Sequence, residues 1–176
     1  MGKDSYIPTG YSWLYSYTLE YDHLFILANN EFFGGVFDWR WWKAQAIAES
    51  NLEPLAKSHC GAMGMMQIMP PTWDDLAKVI DISNPWDARD NVRAGVFYMK
   101  KLWHYWQARK IKEFRETLRF SQASYNAGMG NIRKAWKLTD SNLWADVAFH
   151  LPEITGGHAR ETINYVQRIE ELFQDL

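Results

Sequence analysis

The sequence predicts an all-α domain, with at most a minor β contribution. Apolar residues recur at helical spacing through most of the chain, and no segment shows a convincing alternation of apolar and polar residues. The chain has 176 residues, of which 47% are hydrophobic and 23% are charged, and this fits one globular domain. We expect residues 1–37 to form a helical lead-in and residues 38–176 to form the core that carries the motifs.

Local signals predict each helix in turn. A first helix over 11–30 is expected to end before a pair of glycines, and Asp38 can cap a second helix over 39–50. The stretch over 51–71 is rich in Gly, Pro, Ser and Asn and is predicted to be irregular, with a short helix after Thr72. Further helices are predicted over 87–109, which has a long apolar stripe, and over 112–127, 131–138, 143–150 and 158–173.

Charge is distributed unevenly along the chain, although the net charge is only −2. Between Lys100 and Lys137 there are ten Lys or Arg residues and only two acidic residues, Glu113 and Glu116, so this stretch carries +8. Solvated helix faces are the ordinary explanation, and a surface that attracts an anionic polymer such as a cell wall is the alternative. Nucleic acid is not an expected partner, because neither a basic helix nor an aromatic RNA-binding motif accompanies the charge.

Several other classes of protein are disfavoured by what the sequence lacks. Cys60 is the one cysteine, so neither an intramolecular disulfide nor a thiolate metal cluster is possible, and we expect no metal and no cofactor. The apolar run over 24–28 is too short to cross a bilayer, and no apolar run follows Met1, so no integral membrane segment or signal peptide is expected. We expect a monomer.

Glu49 is the candidate for chemistry on the second predicted helix. It follows Trp42 by seven residues and Ala46 by three, so the carboxyl shares a helical face with apolar residues. An ionised carboxylate is costly there, so its pKa should rise, and a protonated carboxyl at neutral pH suits general-acid catalysis. The helix by itself favours a simpler interpretation, a solvated glutamate near a helix end.

Three further segments carry polar groups in unusual settings. GAMGMMQIMP, over 61–70, combines glycines with methionines and an amide that can bond to sugar hydroxyls or acetamides. SYNAG, over 124–128, ends a predicted helix at a glycine, and ETINYV, over 161–166, places Glu161 and Tyr165 one turn apart on one face. Taken singly, the first segment is equally consistent with residues that fill a core. The second is consistent with an ordinary helix terminus and the third with an ordinary amphipathic helix.

Together with Glu49-Ser50, the three segments in this order resemble the soluble lytic transglycosylase family, whose catalytic domain is lysozyme-like and related to goose-type lysozyme. The motifs span 49–166. Met65 and Ser124 depart from the family pattern without removing a reacting group, and Trp73 departs from it where a change in the rim of the cleft is expected. The resemblance implies that Glu49 is the catalytic acid. It implies substrate-binding or supporting roles for Ser50, Met66, Gln67, Tyr125, Asn126, Glu161 and Tyr165.

The resemblance also implies a substrate and a mechanism. The substrate is the glycan strand of peptidoglycan, cut between N-acetylmuramic acid and N-acetylglucosamine with formation of a 1,6-anhydro end and without a second catalytic carboxylate. Among the other acidic residues only Glu161 is a serious candidate for such a carboxylate, since Glu53, Asp74 and Asp75 have simpler explanations. Some tryptophans are expected to stack on sugar rings, with Trp73, Trp136 and Trp144 as candidates.

Competing functions remain open at this point. A goose-type lysozyme would hydrolyse the same bond, a Cys–His peptidase would use Cys60 with His59, and a wall-binding module would have no activity. The expected place of action is the cell wall, in the periplasm of a Gram-negative host. Since no signal peptide is visible, a phage-encoded lysis protein (an endolysin), a virion-associated enzyme and a domain excised from a longer exported protein are all consistent with the sequence.

Overall fold

The computed structural model describes residues 18–139 and 141–176, and in this part of the chain it contains α-helices and no β-strand. The all-α prediction is therefore confirmed. Two isolated β-bridges occur in the loop over 51–69, and a single 3-10 turn, Gly156–His158, precedes the last helix. The α-helices are α1 Asp22–Phe33, α2 Arg40–Ser50, α3 Pro70–Ala77, α4 Ala88–Gln107, α5 Phe114–Ala127, α6 Met129–Thr139, α7 Trp144–Thr155 and α8 Ala159–Asp175.

Helix α4 lies at the centre of the packing. Its predicted apolar stripe is buried, with Val92, Val96 and Trp106 fully inaccessible to solvent. Helices α1, α3 and α5 pack against it, and each large side chain buried in this way contributes about 1.5–3 kcal/mol relative to exposure. The predicted lead-in joins the same core, because Phe25 of α1 is fully buried.

The start of α2 agrees with the sequence signal, whereas the first helix is shorter than predicted. The Asp38 carboxylate accepts the backbone N–H of Arg40 at 3.0 Å, as expected of a residue that stabilises a helix start. Residues 11–17 of the predicted first helix lie outside the described residues, and residues 18–21 are not helical. Helix α1 ends at Gly34, whose φ of 62° suits a glycine.

Two other helix boundaries correct the sequence prediction. Helix α3 begins at Pro70 rather than after Thr72, because prolines have the φ that the first turn of a helix needs and have no N–H to leave unpaired. Helix α7 continues beyond His150 to Thr155 and passes through Pro152, since the burial of Leu151 outweighs the hydrogen bond that a proline removes. Within the described residues, no helix is both long and apolar enough to cross a membrane.

These contacts position the ends of three helices together. Helix α8 packs against α2 and α5, so the C-terminal end of α2, the C-terminal end of α5 and the first turns of α8 meet beside the loop over 51–69. The motif residues lie on these segments.

Candidate active site

The loop over 51–69 is fixed by polar side chains of the neighbouring helices. At the end of α2, Ser50 Oγ donates to the carbonyl of Met65 at 2.7 Å. On α4, Asn91 is fully buried, accepts the N–H of Met66 at 2.7 Å and donates to the carbonyl of Met63 at 3.0 Å. Buried backbone groups need such partners, and the loop therefore has a defined shape without regular secondary structure.

Two glycines make this arrangement possible. Gly64 has a φ of 73°, and a Cβ there would lie 2.3 Å from Nδ2 of Asn91 and 2.5 Å from the carbonyl oxygen of Pro85. On α4, a Cβ at Gly95 would lie 2.7 Å from the side chain of Met66. All three distances are shorter than real contacts allow, so the loop can approach α4 only because both positions are glycine.

Glu49 lies near the end of α2, next to the loop. Its carboxyl is partly buried, and its Oε1 accepts a hydrogen bond of 2.5 Å from the hydroxyl of Tyr165 on α8. Burial raises the pKa of Glu49 to about 8, the bond from Tyr165 opposes this rise, and the negative charge of Glu161 adds to it. The predicted rise of this pKa is confirmed. At neutral pH most molecules therefore carry a proton on this carboxyl.

Two tyrosines, buried Tyr165 and partly buried Tyr125, flank the acid and have different partners. The hydroxyl of Tyr165 donates to Glu49, whereas the hydroxyl of Tyr125, on α5, donates to the carbonyl of Met66 at 2.7 Å. Burial raises the pKa of both tyrosines well above the usual value, and the charge of Glu49 raises it further. Both hydroxyls therefore stay protonated, one as a donor to the acid and the other as a tie to the loop.

Three adjoining cavities form a groove past Glu49. Their volumes are about 230, 310 and 370 Å³, and Asn126 at the end of α5 lines all three. The cavity at Glu49 is also lined by Glu161, Asn164, Tyr165 and Arg168 of α8. Another extends along the loop and α4 and is lined by Gln67, Met69, Thr72, Tyr98 and Tyr125. The third extends toward α7 and is lined by Asn131, Ile154, Thr155 and His158.

The structure brings most of the predicted site residues to this groove. Glu49 and Glu161 lie in it, and Tyr165 is buried at its wall. Gln67 lines it while its amide nitrogen donates to the carbonyls of Ala56 and Gly64, so this residue also shapes the loop. Tyr125 and Asn126 line it as well. The Oδ1 of Asn126 accepts the hydroxyl of Thr162 at 2.8 Å, which ties the end of α5 to α8.

Two predicted residues lie beneath the groove instead. The side chain of Met66 is 0% exposed and packs on Gly95, so the expected contact of this side chain with substrate is wrong. The carbonyl of Met66 accepts a hydrogen bond from the hydroxyl of Tyr125. The hydroxyl of Ser50 is occupied by the carbonyl of Met65 and the N–H of Glu53. Both residues support the loop on which the groove depends.

The candidate tryptophans are also placed elsewhere. Trp73 and Trp144 are each 7% exposed and belong to the core, so neither offers a ring face to a ligand. Trp136 packs against Trp106 and lines none of the three groove cavities. Large aromatic side chains are usually buried for their area, and that explanation holds for Trp73 and Trp144, whereas Trp136 is partly buried and lines a separate cavity.

The remaining acidic and nucleophilic candidates do not line the groove cavities. Asp74 and Asp75 are exposed on α3, where Asp75 pairs with Lys78, and Glu53 is exposed in the loop. Cys60 is exposed, with its neighbour His59. Among the described residues, no group of three His, Cys, Asp or Glu side chains is arranged to hold a metal ion.

Sequence reasoning did not identify two residues near the acid. Tyr98 lines the groove from α4, and Gln45 is a fully buried glutamine one turn before Glu49 on α2. The available signal at Gln45 was a polar residue in a segment whose other residues suit burial. No local signal in the sequence indicates Tyr98, because its exposure to the groove depends on where the loop lies.

Residues 37–145, more than half of the chain, match the family model described as "Transglycosylase SLT domain". The chain belongs to this family. Among its curated relatives is membrane-bound lytic murein transglycosylase F of Vibrio campbellii, 36% identical over 159 residues, which cover 80% of this chain and 28% of the relative. The protein of the same name from Desulfosudis oleivorans is 33% identical over 149 residues, covering 76% of this chain and 32% of the relative.

Solved structures show the same fold. The 70 kDa soluble lytic transglycosylase SLT70 of Escherichia coli matches with a TM-score of 0.68 and 25% identity, covering 90% of this chain and 24% of that chain. An inactive mutant of the lytic transglycosylase Slt of Pseudomonas aeruginosa matches with a TM-score of 0.70 at 18% identity, over 89% of this chain and 24% of that chain. The lysozyme-like transglycosylase fold expected from the motifs is thereby confirmed. The chain spans only about a quarter to a third of the length of these relatives.

Proposed function

We propose that this SLT-family chain is a lytic transglycosylase that cleaves the β-1,4 bond between N-acetylmuramic acid and N-acetylglucosamine in peptidoglycan. The observation that carries the proposal is Glu49, a partly buried carboxyl at the wall of a groove, with a pKa of about 8 and a tyrosine hydroxyl bonded to it. The curated relatives bear the name lytic murein transglycosylase, which supports the same activity here.

Glu49 acts first as an acid and then as a base. Its proton passes to the bridging oxygen as the bond from that oxygen to C1 of the muramic acid breaks, and the acetamide oxygen of the substrate stabilises the positive charge that develops at C1. The ionised Glu49 then takes the proton of the C6 hydroxyl, and O6 bonds to C1 to close the 1,6-anhydro ring. No water is consumed, and Glu49 ends the cycle protonated.

Tyr165 stabilises Glu49 during the part of this cycle in which Glu49 is ionised. A carboxylate formed inside a partly buried site needs hydrogen-bond donors, and the hydroxyl of Tyr165 is already 2.5 Å from Oε1. Its pKa lies well above the usual value, so it donates without losing its own proton.

Glu161 has a binding role in this proposal. It is exposed on α8, in the cavity that contains Glu49, and its charge raises the pKa of the acid. An exposed carboxylate at the groove edge can accept hydrogen bonds from sugar hydroxyls or acetamide N–H groups. The goose-type lysozyme alternative would instead need a base to activate water.

Digestion of purified sacculi with the wild type and with Glu49→Gln tests the function. We expect muropeptides with anhydro ends from the wild type and a rate lower by about 10²- to 10⁴-fold for the variant. Reducing ends, heavier by one water, would identify a hydrolase. Full activity of the variant would exclude this mechanism, and wall binding without cleavage by either protein would identify a binding module.

The proposed partner is the peptidoglycan strand, and the proposed place of action is the cell wall, in the periplasm of a Gram-negative host. The chain would reach it either as a phage-encoded lysis protein or as part of a longer exported protein. We further propose that it acts as a monomer. Light scattering during size-exclusion chromatography tests this last point, and a mass of twice 20.7 kDa would contradict it.

A further inference from the structure

Gln45 is a buried polar residue that the proposed mechanism has not used. It lies on α2 one turn before Glu49 and is 0% exposed. Neither its amide nitrogen nor its amide oxygen has a hydrogen bond of good geometry within the described residues. Buried amides are nearly always paired, and an apolar side chain of similar size would fill this position without the cost of burying an unpaired amide.

The hydroxyl of Tyr165 is the polar group on which this amide acts. Helix α8 packs against α2, and Tyr165 is buried where its hydroxyl donates to Glu49. The Gln45 amide is close enough to that hydroxyl to lower its pKa, whereas burial and the charge of Glu49 raise it. A tyrosine hydroxyl donates one hydrogen bond and accepts up to two, so its oxygen is available to an amide N–H while its proton points at Glu49.

We propose that Gln45 is a positioning residue, whose amide nitrogen donates to the Tyr165 hydroxyl and thereby directs the tyrosine proton at Glu49. This inference rests on the proposed function. A donor behind the tyrosine polarises its O–H bond and strengthens the hydrogen bond to the carboxylate in front of it. The effect is largest while Glu49 is ionised, between its loss of a proton to the leaving oxygen and its gain of one from the C6 hydroxyl.

Gln122 provides a matched control. It is also 0% exposed, and both of its amide atoms are likewise unpaired within the described residues. It lies on α5, and it does not affect the pKa of either Glu49 or Tyr165. Replacement of either glutamine by methionine therefore removes the same group from the same degree of burial, but only the replacement of Gln45 removes a group that acts on the Tyr165 hydroxyl.

Gln45→Met and Gln122→Met should be compared with the wild type on soluble glycan strands across pH. For Gln45→Met we expect kcat to fall about fivefold with KM within about twofold. Its alkaline loss of activity should move to higher pH, because a weaker bond from Tyr165 leaves the ionised form of Glu49 less stabilised. The melting temperature should change little, since loss of the bond to Tyr165 is offset by removal of a buried amide oxygen that has no partner within the described residues. Gln122→Met should keep the wild-type kcat and pH profile.

Combination with Tyr165→Phe decides whether Gln45 acts through the tyrosine. In that background, Gln45→Met should change kcat by less than about twofold, because the group it positions is gone. The inference is overturned if the full loss persists in the Tyr165→Phe background, or if Gln122→Met loses as much activity as Gln45→Met. A wild type that forms no anhydro ends would refute the proposed function instead, and normal kinetics of Gln45→Met beside an active wild type would refute only this inference.

Discussion

On one side of Glu49 the groove is walled by the loop over 51–69, and on the other by helix α8, and the two walls are held by different kinds of contact. The loop wall depends on hydrogen bonds between its backbone and three side chains, those of buried Asn91 and of partly buried Ser50 and Tyr125. The helix wall has its backbone bonds satisfied within α8 and directs one buried hydroxyl, that of Tyr165, at the acid.

This difference implies that the loop wall determines the shape of the groove, whereas the helix wall determines the ionisation of Glu49. Changes in the side chains that hold the loop should alter the stability of the protein and the shape of the groove, because they leave backbone groups without partners. Changes in Tyr165 should alter the ionisation of Glu49 while most of the fold stays unchanged. Three experiments test this division and a fourth tests a surface outside both walls, in order from the largest expected free-energy effect to the smallest.

Asn91→Leu should have the largest effect, on the loop side. It removes the partners of the buried Met66 N–H and of the partly buried carbonyls of Met63 and Pro85. Each unpaired buried group costs about 1–3 kcal/mol, so we expect the free energy of unfolding to fall by about 3–5 kcal/mol. Urea denaturation followed by tryptophan fluorescence measures it.

The control is Asn142→Ala, an exposed asparagine whose one bond to the described residues is a long one of 3.5 Å to the carbonyl of Lys110. Its effect should be under about 0.5 kcal/mol. Similar losses for the two variants would mean that Asn91 does not hold the loop.

Glu49→Gln should stabilise the protein at alkaline pH while it abolishes activity. The pKa of Glu49 is raised from 4.5 to about 8, so between these values the folded protein keeps a proton that the unfolded chain has lost. Stability therefore falls as pH rises through this window, and a neutral glutamine removes the penalty. We expect a gain of roughly 2–4 kcal/mol at pH 8 and little gain below pH ~4.5.

Denaturation of both proteins at pH 4.5 and pH 8 measures this gain. The matched control is Glu53→Gln, an exposed carboxylate three residues beyond the end of α2, with an expected change of less than about 0.5 kcal/mol at either pH. A gain for Glu49→Gln that did not depend on pH would show that the carboxyl is ionised in the folded protein.

The sequence alone was sufficient where the signal is local. The stripe on α4 follows from the spacing of apolar residues such as Val96 and Trp106, and a carboxyl on an apolar face of α2 indicated a raised pKa for Glu49. That helix by itself favoured a solvated glutamate, and the other motifs of the chain were needed to favour the buried acid. Helix ends were less predictable. The sequence prediction ended α7 at His150, before Pro152, whereas tertiary packing carries the helix on.

The roles of individual site residues depend on contacts between distant parts of the chain. Met66 belongs to a motif that resembles a substrate wall, but Gly95 on α4 leaves room for its side chain to be buried. Gln45 becomes noticeable only because α8 brings Tyr165 beside it. Neither burial nor cross-helix pairing can be obtained from spacing along one segment.

Tyr165→Phe and Tyr125→Phe compare the two walls with the same chemical change. Removal of the Tyr165 hydroxyl should lower kcat about tenfold, equivalent to about 1.4 kcal/mol, and shift the alkaline loss of activity to higher pH. Removal of the Tyr125 hydroxyl leaves the carbonyl of Met66 unpaired and should lower stability by about 1 kcal/mol, with the pH profile in place.

Rates across pH and melting curves of both variants separate these effects. If Tyr125→Phe shifts the pH profile as far as Tyr165→Phe does, the two walls do not have the separate roles described above.

The smallest effect concerns a surface outside both walls. Helix α6 begins directly after Gly128 of the groove and carries exposed Lys134 and Lys137 from the basic stretch of the sequence. If this surface attracts the anionic wall, reversal of both charges to Glu should slow digestion of sacculi by about twofold to fivefold at low salt. Lys78→Glu with Arg89→Glu makes the same change in net charge on exposed residues outside that stretch and should have less effect.

Salt distinguishes attraction from damage to the fold. Exposed charges separated by more than the screening length, ~3 Å at 1 M salt, barely interact, so all these proteins should digest sacculi at similar rates there. A deficit of the Lys134 and Lys137 variant that persisted at high salt would indicate distortion of the groove, and equal deficits of both pairs at low salt would indicate an effect of net charge alone. Only a deficit confined to low salt and to α6 would add a third, electrostatic surface to the two walls beside Glu49.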